Sequence, residues 1–177
     1  MKLTNITKML TLVIMLGIVT ISCKKDEEPT PGAKTNTFSI DGTEYSLSDG
    51  FTEEYGGDAT TGYNFDLIVH SSGLTSSANG VTGTGEALYF ELWSTSDTGL
   101  ANGTYSASLN AEPNTFTIGE VYINLNASTF DADESYEVSS GTVTISVSGS
   151  TYTINFDLTL TGNKKLTGNY TGTLSAY

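Results

Sequence analysis

After residue 36 apolar side chains recur at every second position, and no window there holds a sustained 3.6-residue repeat. Phe38 and Ile40 precede Asp41-Gly42, and Tyr45 and Leu47 follow it. Asp-Gly between alternating apolar positions predicts a two-residue hairpin, because both residues tolerate the positive φ of a type I′ turn. Tyr63, Phe65, Leu67 and Val69 share one face of a strand over 63–71. From Ala87 to Thr95, Leu88, Phe90 and Leu92 point one way, and Tyr89, Glu91 and Trp93 the other. Val121, Ile123 and Leu125 are expected to point together in a strand over 119–127.

The C-terminal region repeats the pattern. Val143, Ile145 and Val147 alternate up to Ser148-Gly149-Ser150, and Tyr152, Ile154, Phe156, Leu158 and Leu160 alternate up to Gly162-Asn163. Leu166, Tyr170 and Leu174 keep the period, with Gly168 and Gly172 at the in-phase positions between them. Short turns force neighbours to run antiparallel, so 142–177 predicts a three-stranded meander. The in-phase glycines predict close approach by another layer, or a bend. Shorter strands near 104–109 and 115–118 bring the count to about eight to ten. The expected fold is all-β: a single antiparallel β-sandwich or flattened meander barrel over 37–177. No repeat of fixed period argues for a solenoid or propeller.

The N-terminus has another character. Lys2 and Lys8 form a basic region, and Met9 to Ile21 is an uncharged run of 13 residues. That is short of the ~20 apolar residues that span a bilayer, and it matches the apolar region of a secretory signal. The run ends at Thr20-Ile21-Ser22-Cys23, followed by Lys24-Lys25-Asp26-Glu27-Glu28. These residues resemble a bacterial lipoprotein precursor of the Bacteroidota type, with Thr20 departing from the usual Leu. The resemblance implies a cleaved signal peptide over 1–22 and lipidation of Cys23. It also implies anchoring in the outer membrane, with the Lys-then-acidic segment directing exposure on the cell surface. Residues 23–36 hold Pro29, Pro31, Gly32 and nothing apolar larger than Ala33, so they read as a flexible tether. Phe38-Ser39-Ile40-Asp41-Gly42, Gly103-Thr104-Tyr105, Ser140-Gly141-Thr142-Val143 and the stretch Leu166 to Leu174 look like small β-rich surface lipoproteins of the same kind. Those motifs are turns and packing glycines, and they imply no active site.

Composition narrows the chemistry. The net charge of −13 understates the β domain, because five of the seven lysines precede residue 37. Residues 37–177 hold 17 acids against Lys164 and Lys165, a balance of −15 that excludes nucleic acid as a partner. Cys23 is the sole cysteine, so neither an internal disulfide nor a cysteine-built zinc site can form. His70, the sole histidine, reads as a strand-end residue facing solvent or bonded to a nearby serine, and no Gly-x-Ser-x-Gly elbow is present. No cofactor is expected. Asp131, Asp133, Glu134 and Glu137 are a weak Ca²⁺ candidate, and a loop over Glu53–Asp58 is a weaker one. Acids are plentiful enough for a glycosidase pair, yet nothing in the sequence selects two of them, so an enzyme is not the expectation.

The candidate binding strip is aromatic. Tyr89, Glu91 and Trp93 face away from the core in one strand, and Tyr122 and Asn124 in another. Flat rings beside carboxylate and amide groups suit a sugar or a protein loop. The expected function is a non-catalytic binding or presentation module for glycan or protein, on the cell surface. The alternative is a structural or accessory envelope protein without a small-molecule ligand. A glycoside hydrolase and a lipocalin-like binder of apolar ligands stand behind both.

Overall fold

A computed structural model describes residues 36–177. The expected signal peptide, Cys23 and the tether up to residue 35 lie outside the described residues. Twelve strands follow: β1 (Thr37–Ile40), β2 (Thr43–Ser46), β3 (Asp49–Asp58), β4 (Gly62–His70), β5 (Leu74–Ser77), β6 (Gly80–Ser94), β7 (Gly103–Ala107), β8 (Thr115–Asn126), β9 (Glu134–Ser148), β10 (Thr151–Leu160), β11 (Lys164–Gly172) and β12 (Ser175–Ala176). The only helical turn among the described residues is the short 3₁₀ segment Thr161–Asn163 between β10 and β11.

The all-β expectation holds, but the sandwich or closed meander barrel does not. One sheet runs in the order β12-β3-β4-β6-β8-β7-β9-β10-β11-β1-β2, with β5 paired to β6 off this path. It is mixed, because β7 pairs β8 and β12 pairs β3 in parallel. It is also open, since no ladder joins β12 to β2 among the described residues. Two connections explain the departure. Leu47-Ser48 carries the chain from β2 at one end of the sheet to β3 near the other, and Thr173-Leu174 does the same from β11 to β12. Connections of two residues can reach across only if the sheet curls until its ends approach.

The core reports the same curl. Phe90 on β6 stacks on Phe156 on β10, with centroids 5.7 Å apart and planes 11° off parallel. Even by the shortest route, β6-β8-β9-β10, three ladder steps separate those strands, about 14 Å in a flat sheet at the usual strand spacing. The concave side therefore closes on itself, burying Phe38, Leu67, Leu88, Leu92, Val143 and Leu158 among others. This is the alternating set expected from the sequence.

Local features follow the residues. The Asp41-Gly42 hairpin forms, with φ of 48° and 89° at its two central positions. The meander of β9, β10 and β11 forms in the expected antiparallel order. Gly168 lies opposite Phe38, where a Cβ would fall 2.5 Å from the Phe38 Cα, so the close approach comes from the neighbouring strand. At Gly172 the approach comes from the Tyr170 ring, whose hydroxyl would lie 2.4 Å from a Cβ. Asn36, the last residue of the expected tether, is tied to β11 by its side chain, which donates to Thr171 O and accepts from Thr171 N.

Candidate functional site

The convex face of β3, β4, β6 and β8 carries the polar chemistry. Register pairs Glu53 with Asp66 and Asp66 with Glu91, so three carboxylates lie in one row across three adjacent strands. One step along, Asn64 pairs with Trp93. Between these rows and the β3–β4 hairpin lies an open cleft of about 450 Å³, lined by Tyr55, Gly57, Asn64, Asp66, Glu91 and Trp93.

Several local devices set this geometry. A bulge between Glu54 and Gly56 turns Tyr55 out of the β3 ladder, leaving it 61% exposed at the cleft wall. Gly57 has φ of 144°, and a Cβ there would lie 2.2 Å from Gly62 O, so only glycine fits this rim. Asp58 closes the hairpin by accepting from the Thr60 and Thr61 amides at 2.7 and 3.0 Å, bonds that hold its carboxyl below the ordinary value. A second bulge, opposite Glu91 and Leu92, brings Thr117 of β8 to the same face. The Trp93 indole N–H donates to Thr117 Oγ1 at 3.0 Å, and that hydroxyl donates to Glu91 Oε1 at 2.8 Å. The indole is thus pinned through one hydroxyl to the carboxylate beside it.

Electrostatics mark Asp66. Burial pushes its carboxyl up to about 6, the neighbouring Glu91 and Glu53 push the same way, and the Tyr89 hydroxyl, donating at 3.0 Å, opposes them. Tyr89 is itself raised far above its ordinary value, by burial first and then by Asp66. In the cleft floor Asn64 is 8% exposed, and its Nδ2 is buried without an acceptor.

The expected strip is divided by the fold. Tyr89, Glu91 and Trp93 do share the convex face, with Glu91 and Trp93 in the cleft. Tyr89 and Tyr122 instead line an adjacent apolar groove of about 550 Å³, together with Phe51, Leu125, Phe130 and Tyr177. Tyr122 donates to the Glu120 carboxylate, and burial first, then that bond, pushes it up to about 12. Asn124 takes no part: it has φ of 55° and donates to Asp133 Oδ2 at 2.9 Å.

The acidic candidates do not gather. Glu134 and Glu137 belong to β9, Asp133 accepts from Asn124, and Asp131 bridges Asn126. Among the described residues no group of three or more His, Asp or Glu side chains is placed to hold a metal ion. The segment Glu53–Asp58, expected as a loop, is the outer half of β3. Its lone apolar neighbour Phe51 and its paired glycines concealed an edge strand. His70 does meet serine, but in the interior: it is 1% exposed, with Nδ1 at 2.9 Å from Ser71 O and Nε2 at 3.3 Å from Ser76 Oγ. Donation to the carbonyl from Nδ1 leaves Nε2 to accept from the serine.

Tyr55, Asn64, Asp66 and Thr117 were not foreseen as site residues. Asn64 and Asp66 alternate with buried positions in the sequence, but only register shows which acids and rings they join. No family model matches this chain, and neither a curated protein nor a solved structure matches it.

Proposed function

We propose that the protein is a surface lipoprotein, anchored in the outer membrane through Cys23, whose convex cleft binds glycan without turning it over. The observation that carries the reading is the cleft itself: Trp93 and Tyr55 line it together with the Asp66 and Glu91 carboxylates. Sugars offer apolar ring faces for stacking and hydroxyls for the carboxylates. The pinned indole supports this, since a ring already fixed by Thr117 loses little freedom on binding.

Asp66 and Glu91 also meet the minimal requirement of a hydrolase, two neighbouring carboxylates in a cleft. Binding is favoured because the cleft is open and water is not excluded, and because each carboxylate is committed to a hydroxyl of the protein. A glycan array with the full chain in detergent tests the proposal. Trp93→Ala should weaken any positive by roughly tenfold or more, as loss of a stacked aromatic anchor does. Unchanged binding by that variant removes the cleft from consideration, and shorter oligosaccharides among the products would replace binding with hydrolysis. Radiolabelled fatty acid should enter the wild-type chain in bacteria and fail to enter Cys23→Ser.

The accessory-protein reading is favoured by one feature, the apolar groove flanked by Phe130 at 78% and Tyr177 at 43% exposure. It expects a partner protein on membrane pull-down that is lost with Phe130→Ser.

A further inference from the structure

We propose that the apolar groove beside Tyr89 and Tyr122 is a binding site for a small organic cation, an aromatic or alkyl body that ends in a primary ammonium. The inference goes beyond the glycan reading and does not depend on it. The groove floor includes a row in direct register across four strands, Phe51, Ile68, Tyr89 and Glu120. Three of these four are apolar or aromatic, on the face that the curled sheet turns away from its core. Leu74, Ala87 and Leu125 form a buried cluster of their own there, with Val81, Tyr122 and Ala127 packed against it. The β5–β6 turn, Phe130 and Tyr177 wall the space, which measures about 550 Å³. Small-molecule sites fall in the range of about 300–1,000 Å³ and are mostly apolar, with a few placed polar groups.

The polar side chains of the groove set the chemistry of its occupant. Tyr89 donates its hydroxyl proton to Asp66 at 3.0 Å, Tyr122 donates to Glu120, and Ser77 donates to Gly80 O at 3.2 Å. With those protons committed, the three oxygens can only accept from a ligand. Glu53 and Glu120 line the same groove, and ionised carboxylates accept without donating. Of the lining side chains, the Tyr177 hydroxyl alone has no acceptor among the described residues. A ligand therefore meets acceptors and negative charge between apolar walls. An ammonium, with three donors and no acceptor, is the complement of that lining. An anion such as a fatty acid meets like charge there, and a wholly apolar ligand leaves the acceptors unmatched. The rings of Phe51, Tyr89 and Tyr122 add attraction of the cation–π kind.

Equilibrium dialysis of the full chain at neutral pH, with the same detergent in both chambers, tests this. The probes share one ring system: naphthylethylamine, naphthylethanol and naphthylpropionate. The amine should bind roughly tenfold tighter than the alcohol, as charge-assisted hydrogen bonds exceed neutral ones, and the propionate should bind weakest. Glu120→Gln and Glu53→Gln should each narrow the amine-to-alcohol ratio roughly threefold, and the double variant should bring it to about one. A glutamine at 120 still accepts from Tyr122, and Glu53 is exposed, so both substitutions spare folding. Phe130→Ser, also at an exposed position, should weaken all three probes alike by roughly threefold. Equal affinity for amine and alcohol, or tighter binding of the propionate, overturns the cation. An amine preference that survives the double variant places binding outside the groove and overturns the inference. Binding of none of the three overturns the small-molecule site and leaves the groove to a partner protein.

Discussion

Asp66 sits at the centre of the acidic row, with Glu53 on one side, Glu91 on the other and the Tyr89 hydroxyl donating to it. Burial and the two neighbours raise its carboxyl from 3.8 to about 6. Between those values the folded protein binds a proton that the unfolded chain has released, so stability falls as pH rises through the window. Above about 6 the charge is present in both states and its cost in the fold is complete. Asp66→Asn should therefore stabilise at pH 7.5, on the order of 1 kcal/mol once solvent screening is allowed for. At about pH 4 the advantage should vanish, since the wild-type carboxyl is then neutral in the fold. The asparagine oxygen can still accept from Tyr89, so urea melts at the two pH values isolate the charge. A variant less stable at both would show that the Tyr89 bond outweighs the repulsion.

At the scale of the element, β8 shows where alternation stops being a guide. Val121, Ile123 and Leu125 have one phase in the sequence, yet Val121 joins the concave core while Leu125 packs with Leu74 and Ala87 in a separate cluster. The cause is a bulge: Gly85 pairs with Leu125 and Ala87 with Tyr122, so Ile123 and Asn124 together oppose Glu86. Asn124 takes the left-handed conformation this requires, which asparagine tolerates far better than a branched residue does. Asn124→Val should cost about 2 kcal/mol and Asn124→Gly almost nothing, read from chemical denaturation. The strands β1, β4, β10 and β11 were legible because each alternates without interruption between clear turns. β3 and β5 were not: their outer residues are polar, and what makes them strands is the ladder they complete. Trp93 and Glu91 were placed correctly as outward-facing. Their partners come from other strands: Asp66 and Asn64 from β4, in an unbroken register with β6 that periodicity within one strand does not reveal, and Thr117 from β8, through a bulge that leaves no mark on periodicity.

At the scale of the whole molecule, the curled sheet must hold its ends together without a closing ladder. β12 performs part of this task with only two residues, Ser175 and Ala176, set parallel against Phe51 and Thr52. Leu174 reaches over Gly50, where a Cβ would lie 2.8 Å from its Cδ2, and the Tyr177 ring meets Phe51 at 5.3 Å. Tyr177 N also donates to Thr52 O at 3.0 Å. Truncation after Gly172 should remove the apolar contacts and bare the β3 edge. The loss should be about 2 kcal/mol, as for burial of roughly one large apolar side chain, and should appear as a lower melting temperature. The bared edge is the second consequence, because unpaired strand edges template pairing with another chain. Size-exclusion chromatography should then show association rising with salt: the 17 acids of residues 37–177 repel a second copy at low ionic strength, and screening removes that protection. A truncated chain that melts like the wild type and stays monomeric in high salt would place the closure elsewhere. The link Leu47-Ser48 would then carry it, where Leu47 N donates to Asn36 O at 2.7 Å and Ser48 N to His70 O at 2.8 Å.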